Sequence, residues 1–266
     1  MQTKIKDTRL YLGPMTKNVV DGVILYANKY QRQLGLIASR RQIDCLGGYV
    51  NGWTTASFTE YVRAKSPYIT LCRDHGGLGQ GAEEDDGMNS FLVDAKHMDI
   101  IHIDPWKKLD QGLAIGYTLF VMSRCGTISN NCLFEIGTEE AIRSMTPETL
   151  DKLITTVKER MPELFDRIAY AVIQSGTSLK SGKNTGNFDE KRLVDMVSVC
   201  NKHGLLSKEH NGDYLTPDEI QNKFKLGLSA INIAPEVAHI ESRIVLEYAS
   251  ESLRTLWFNL VLDDGR

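Results

Sequence analysis

The stretch TLCRDHGGLGQG, residues 70–81, ends a hydrophobic run in three adjacent ionisable residues, Arg73, Asp74 and His75. It then opens into Gly76, Gly77, Gly79 and Gly81, although a turn needs only one or two glycines. Charged, hydroxyl or amide groups follow the other short apolar runs too: Ser39, Arg40, Arg41 and Gln42; His102 and Asp104; Glu135, Glu139 and Glu140; Gln174 and Ser175; Lys208, Glu209 and His210; and Asn232. Carboxylates and imidazoles move protons, and guanidinium and ammonium groups hold anions. These residue types indicate an active site without fixing its reaction.

Such groups act together only if a scaffold gathers the ends of the runs. Candidate strands fall at 9–13, 34–39, 68–73, 99–104, 132–137, 168–174, 204–209 and 229–234. Several are nearly continuous apolar runs, as expected of strands covered on both faces. Helical patterns lie between them. One occupies TKNVVDGVILYANKY; another follows Thr54 or Thr55 as N-cap; Thr146-Pro147 and Thr216-Pro217 start two more. Gly204 stops the helix before it, and EVAHIESRIVLEYASESLRTLWFNLVL reads as one long closing helix. Strand and helix alternating eight times, with no break in composition, predict a single (β/α)8 TIM barrel over residues 1–266, an α/β fold. In that fold function sits at the C-terminal ends of the strands, where these polar groups converge. Residues 174–188, rich in Gly, Ser and Thr, read as a mobile loop.

Composition narrows the partners. The chain is 42% hydrophobic and 24% charged, with a formal net charge of −3, so neither nucleic acid nor an anionic membrane is expected. Five widely spaced cysteines without a CxxC pair fit reduced thiols in a cytoplasmic protein. No secretion signal or membrane span is read. GGLGQG is no dinucleotide fingerprint, because Glu83-Glu84-Asp85-Asp86 follows and would repel a pyrophosphate. His239 reads as packing, and His97 and His203 as surface or helix-end residues.

RDHGG at the end of strand three resembles the Asp-His pair of class II, metal-dependent sugar-phosphate aldolases. EIGTEE at 135–140, EHNGDY at 209–214 and INIAPEVA at 231–238 resemble that family's motifs on strands five, seven and eight. The sequence is most similar to the tagatose-bisphosphate aldolase accessory subunit, often described as non-catalytic, whose pattern also has Gly47-Gly48-Tyr49 after strand two. The resemblance runs from about residue 30 to 250.

The resemblance implies His75 and His210 as metal ligands and Asp74 as acid/base. The family's strand-five ligand is a His; here Glu140 holds that place, with Glu139 beside it, and a His2Glu set is a workable zinc site with an open position. The implied cofactor is thus a divalent metal, Zn2+ by expectation. Aldol chemistry then assigns Asp74, Glu139 and Asn232 to catalysis. Ser39, Arg40, Arg41, Gln42, Arg73, Asp104, Lys183 and Asp213 become substrate-binding candidates, the cations facing a phosphate or carboxylate. Strand six ends without a lysine, which disfavours a Schiff base. The expected activity is a metal-dependent aldolase or carbon–carbon lyase acting on a sugar phosphate or polyol phosphate through an enediolate. Its rivals are a non-catalytic accessory subunit and a metal-dependent isomerase or epimerase. A homo-oligomer, dimer or tetramer, is expected, or pairing with a second aldolase subunit.

Overall fold

All eight apolar runs form strands, and these close into a parallel barrel. The computed structural model describes residues 2–264. Its barrel strands are β1 (Leu10–Leu12), β2 (Leu34–Ser39), β3 (Ile69–Gly76), β4 (Ile100–Ile103), β5 (Leu133–Ile136), β6 (Ile168–Ile173), β9 (Leu206–Glu209) and β10 (Ala230–Ile233). They run round the barrel as β1-β10-β9-β6-β5-β4-β3-β2. The predicted TIM barrel is the observed one.

The outer layer is α2 (Lys17–Tyr30), α3 (Thr55–Lys65), α4 (Met88–His97), α5 (Gln111–Ile128), α6 (Pro147–Arg160), α7 (Pro162–Phe165), α8 (Glu190–Lys202), α9 (Pro217–Lys225), α10 (Pro235–Tyr248) and α11 (Glu251–Asp264). Local chemistry sets their starts. Thr16, Thr54, Thr146 and Thr216 each accept a backbone N–H of the first turn, and Thr54 and Thr216 form full capping boxes.

Strand residues alternate between two apolar compartments. Tyr11, Ile37, Cys72, Ile100, Leu133, Tyr170 and Ala230 fill the lumen. Ile101, Phe134 and Ile231 face the helices, each large side chain contributing about 1.5–3 kcal/mol on burial. A short helix absent from the sequence reading, α1 (Gln2–Asp7), closes the N-terminal end. Ile5 joins the lumen cluster, and the Tyr170 hydroxyl donates to the Ile5 carbonyl at 3.0 Å. The opposite end, at the strand C-termini, stays polar.

One expectation is refined and one corrected. Within the loop at residues 174–188, β7 (Leu179–Lys180) and β8 (Lys183–Asn184) make a short hairpin, tethered by Asn184 Nδ2 to the carbonyls of Asn211 and Asp213 at 3.1 and 3.2 Å. The closing helix breaks in two at Ala249 and Ser250, because Ala249 is extended and Ser250 Oγ accepts the Leu253 N–H to start a new helix. No helix among the described residues is long and apolar enough to cross a membrane.

Candidate active site

Period-two alternation carries the lumen upward from its apolar floor. On β4, β5, β9 and β10 the residues in phase with that floor are His102, Glu135, Lys208 and Asn232, all buried. On β3 the phase places Asp74 inward and Arg73 outward. The strand then bulges: its register with β4 shifts between Arg73 and Gly76, and His75 takes φ +43°, a left-handed conformation uncommon for a side-chain-bearing residue. The bulge turns His75 into the same site as Asp74. Its glycines serve close packing, since a Cβ on Gly76 would lie 2.7 Å from the His102 carbonyl and one on Gly77 2.8 Å from that of Asp104.

Two histidines meet here in a defined state. His75 Nδ1 lies 2.6 Å from Asp104 Oδ2, and His210 Nε2 lies 2.8 Å from Glu135 Oε1. Carboxylates only accept, so each of those nitrogens carries a proton, and in the neutral rings His75 Nε2 and His210 Nδ1 are left as lone pairs. These lone pairs face one another at 3.3 Å, and Asp74 Oδ1 lies 3.8 Å from both. That buried Asp74 oxygen has no hydrogen-bond partner among the described residues. His102 completes a group of four side chains, with Asp74, His75 and His210, whose ligating atoms lie within 4.8 Å of one another. Its own nitrogens are engaged: Nδ1 accepts the His75 N–H at 3.3 Å, and Nε2 donates to the Gly137 carbonyl at 3.1 Å.

These donors fit a divalent cation. Opposed lone pairs repel unless a proton or a metal stands between them. A separation of 3.3 Å also suits two nitrogens each about 2.0–2.1 Å from one tetrahedral ion. The surroundings are negative, with Asp74, Asp104, Glu135 and Glu139 around the pair. Burial opposes charge on His75, but Asp74, the hydrogen bond to Asp104 and nearby Glu139 lift its pKa to about 10, so without a cation a second proton sits on Nε2 and points at His210 Nδ1, in the place a divalent ion would take. Burial holds His102 neutral, down to about 4. Against its own burial, Glu135 is kept well below the usual carboxylate range by the Lys208 charge and by the hydrogen bond from His210. Lys208 Nζ pairs with Glu135 at 2.7 Å and lies over the Tyr11 ring.

A cleft of about 410 Å³ opens beside this cluster, lined by Ser39, Arg41, His75, Gln80, Lys107, Glu139, Ala141 and Ile142. Arg41 and Lys107 are exposed and have no carboxylate partner among the described residues. Glu139 points into the cleft, its Oε2 accepting from Asn211 Nδ2 at 2.6 Å and its Oε1 3.9 Å from His75 Nε2. Both amide atoms of buried Asn232 lack partners among the described residues.

The structure thus gathers Asp74, His75, His210, Glu139, Ser39 and Arg41, and separates other expected site residues. Glu140, read as the third ligand, turns away to Arg192 at 2.7 Å. Arg73 is fully buried outside the barrel against Asp94. Arg40 is neutralised by Asp44 and Asp85 and holds the Gly77 carbonyl at 2.9 Å. Gln42 is spent on the Ser39 N–H at 2.9 Å. Asp104 orients His75 rather than facing a substrate. Asp213, its pKa raised by burial to about 6, caps α10 through the Ala234 and Glu236 N–H groups. Lys183 sits exposed on the hairpin and is not among the residues that line the cleft. Glu135 and Lys208, counted among the polar strand ends in the sequence but given no role there, are site supports, as their phase with Leu133 and Leu206 signals. Lys107 follows β4 in a loop and had no signal.

No family model and no curated protein matches this sequence. Solved structures do match in fold. A probable tagatose 6-phosphate kinase from Sinorhizobium meliloti superposes with a TM-score of 0.74 at 19% identity, over 86% of this chain. The match spans only 65% of that protein's length. The YdjI aldolase from Escherichia coli gives 0.67 at 11% identity, over 94% of this chain and 84% of that one. The fructose-bisphosphate aldolase from Campylobacter jejuni gives 0.66 at 13%, over 88% and 75%. At such identities the likeness is one of fold, and this chain has the barrel fold that these aldolases share.

Proposed function

We propose that the protein is a metal-dependent carbon–carbon lyase of the class II aldolase type, cleaving a sugar phosphate or related polyol phosphate through an enediolate. The observation that carries this reading is the pair of lone-pair nitrogens, His75 Nε2 and His210 Nδ1, 3.3 Å apart and each backed by a buried carboxylate. A divalent ion would be held by His75 and His210, zinc by its preference for nitrogen donors, and would supply Lewis acidity. The chain's own groups do the rest. The Asp74 carboxylate takes the substrate hydroxyl proton, and Glu139 at the cleft mouth exchanges it with solvent. Asn232 hydrogen-bonds oxygens on which negative charge develops. Ser39, Arg41 and Lys107 hold the phosphate at the outer end of the cleft.

A second reading, a non-catalytic accessory subunit of a tagatose-bisphosphate-type aldolase, draws support from Glu140. The position the resemblance gives to a ligand is committed to Arg192. Turnover of ketose and aldose phosphates by zinc-loaded protein separates the readings. The lyase releases a triose phosphate, and Asp74→Asn slows it about 10²–10⁴-fold while the protein stays folded. Turnover without fragments makes it an isomerase or epimerase. No turnover by the loaded protein overturns the lyase and leaves the accessory role.

A further inference from the structure

Gly47-Gly48-Tyr49, in the loop between β2 and α3, has no part in the cleft beside His75. That loop is fixed. The Tyr49 and Val50 N–H groups donate to the Arg41 and Gln42 carbonyls, each at 3.1 Å, and the Thr55 N–H donates to that of Asp44 at 2.9 Å. Val50 and Trp53 are buried in the core, and Gly48 packs so closely that a Cβ there would lie 2.2 Å from the Gln42 carbonyl oxygen. Yet the same loop holds Leu46 95% and Tyr49 63% exposed. A fixed backbone that presents large apolar side chains to water at the mouth of a barrel is a binding platform. It forms one wall of a cavity of about 850 Å³, and Ala82, Glu83 and Asn89, which follow β3, form another. Arg41 lines both this cavity and the cleft beside His75. Gln80 lines the cleft and Ala82 the cavity, and the Gly81 carbonyl between them accepts Arg41 Nε at 3.3 Å.

The lining selects the occupant. Arg40 is neutralised by Asp44 and Asp85, and Glu83 adds negative charge, so a second anionic group is disfavoured here. Tyr49 offers an aromatic face whose negative quadrupole suits the C–H face of a pyranose ring. Glu83 accepts hydrogen bonds from hydroxyls, and Asn89 both accepts and donates. We infer that this cavity binds an uncharged sugar residue joined to the phosphorylated sugar in the cleft. The substrate is then a glycosyl-substituted sugar phosphate, with Arg41 at the junction of its two parts. This rests on the cleft being a sugar-phosphate site and names the far end of the same substrate.

Calorimetric titration of the full chain tests this without relying on turnover. The probes are glucose 6-phosphate, three disaccharide phosphates (trehalose 6-phosphate, sucrose 6-phosphate and maltose 6′-phosphate) and the three disaccharides without phosphate. The best disaccharide phosphate should bind at least about tenfold tighter than glucose 6-phosphate, the gain of one stacked ring. Tyr49→Ala should remove that preference and leave glucose 6-phosphate binding unchanged. Ala82→Trp, which fills the cavity from an exposed position, should do the same independently of Tyr49. Equal affinity for glucose 6-phosphate and the disaccharide phosphates overturns the inference while the phosphate site stands. So does a preference that survives both variants, or no binding at all. Disaccharides that bind as tightly without their phosphate, and lose that binding in Tyr49→Ala, overturn the phosphate site instead and uphold the cavity.

Discussion

Arg73 points out of the barrel into a dry layer, where Asp94, Thr55 and the carbonyls of Ala38 and Ile43 satisfy its guanidinium. His75, two residues on, points into the lumen, where its free nitrogen faces a second imidazole at 3.3 Å. Strict alternation would put both on the same face. The bulge at His75, with its left-handed backbone, separates them. One region is complete within the chain and serves stability. The other has an unpartnered carboxylate oxygen, an unpartnered amide and two imidazole nitrogens facing one another, and under the proposed function it is completed by a cation and a substrate.

That contrast can be broken from either side. The largest effect belongs to the outer layer: Asp94→Ala leaves Arg73 buried and unpaired, and should lower unfolding stability by about 3–5 kcal/mol in urea titrations. A loss under about 1 kcal/mol would mean the pair is not the anchor described. On the inner side, Asp104→Asn keeps the shape but loses the carboxylate that sets the His75 tautomer. Zinc affinity, read by competition with a chelator, should fall about 10–100-fold. Arg41→Ala should raise KM for a phosphorylated substrate about tenfold, with stability within about 0.5 kcal/mol of wild type. Glu140→Gln sits at the small end: it loosens a half-exposed pair with Arg192, worth about 0–1 kcal/mol, and should leave metal content unchanged. Metal loss in that variant would restore Glu140 as a ligand.

The barrel was legible in the sequence because its signals are local. Thr-Pro and Thr caps, continuous apolar runs and Gly204 each act within a few residues, and all eight strands lie where those signals put them. The site was legible in part. Asp74, His75 and His210 stand out as polar strand ends in a recognisable motif. Which neighbour turns inward was not readable at two places. At residues 73–75 a bulge overrides alternation, and at 139–140 the chain leaves β5, so that Arg192, distant in sequence, claims Glu140 while Asn211 claims Glu139. Charge suggested Arg40 and the motif suggested Asp213 for substrate, but the structure commits them to Asp85 and to the start of α10, partners distant in sequence. The break at Ala249 depends on a side-chain cap that an uninterrupted amphipathic pattern conceals.

The central claim is that the His75–His210 pair exists to hold a cation. Elemental analysis of protein equilibrated with zinc and then desalted tests it directly, with wild type beside His75→Ala and His210→Ala. The account predicts one retained divalent ion per wild-type chain and none in either variant, all three being folded. A folded wild type that retains no metal, or a variant that keeps it, would contradict the account.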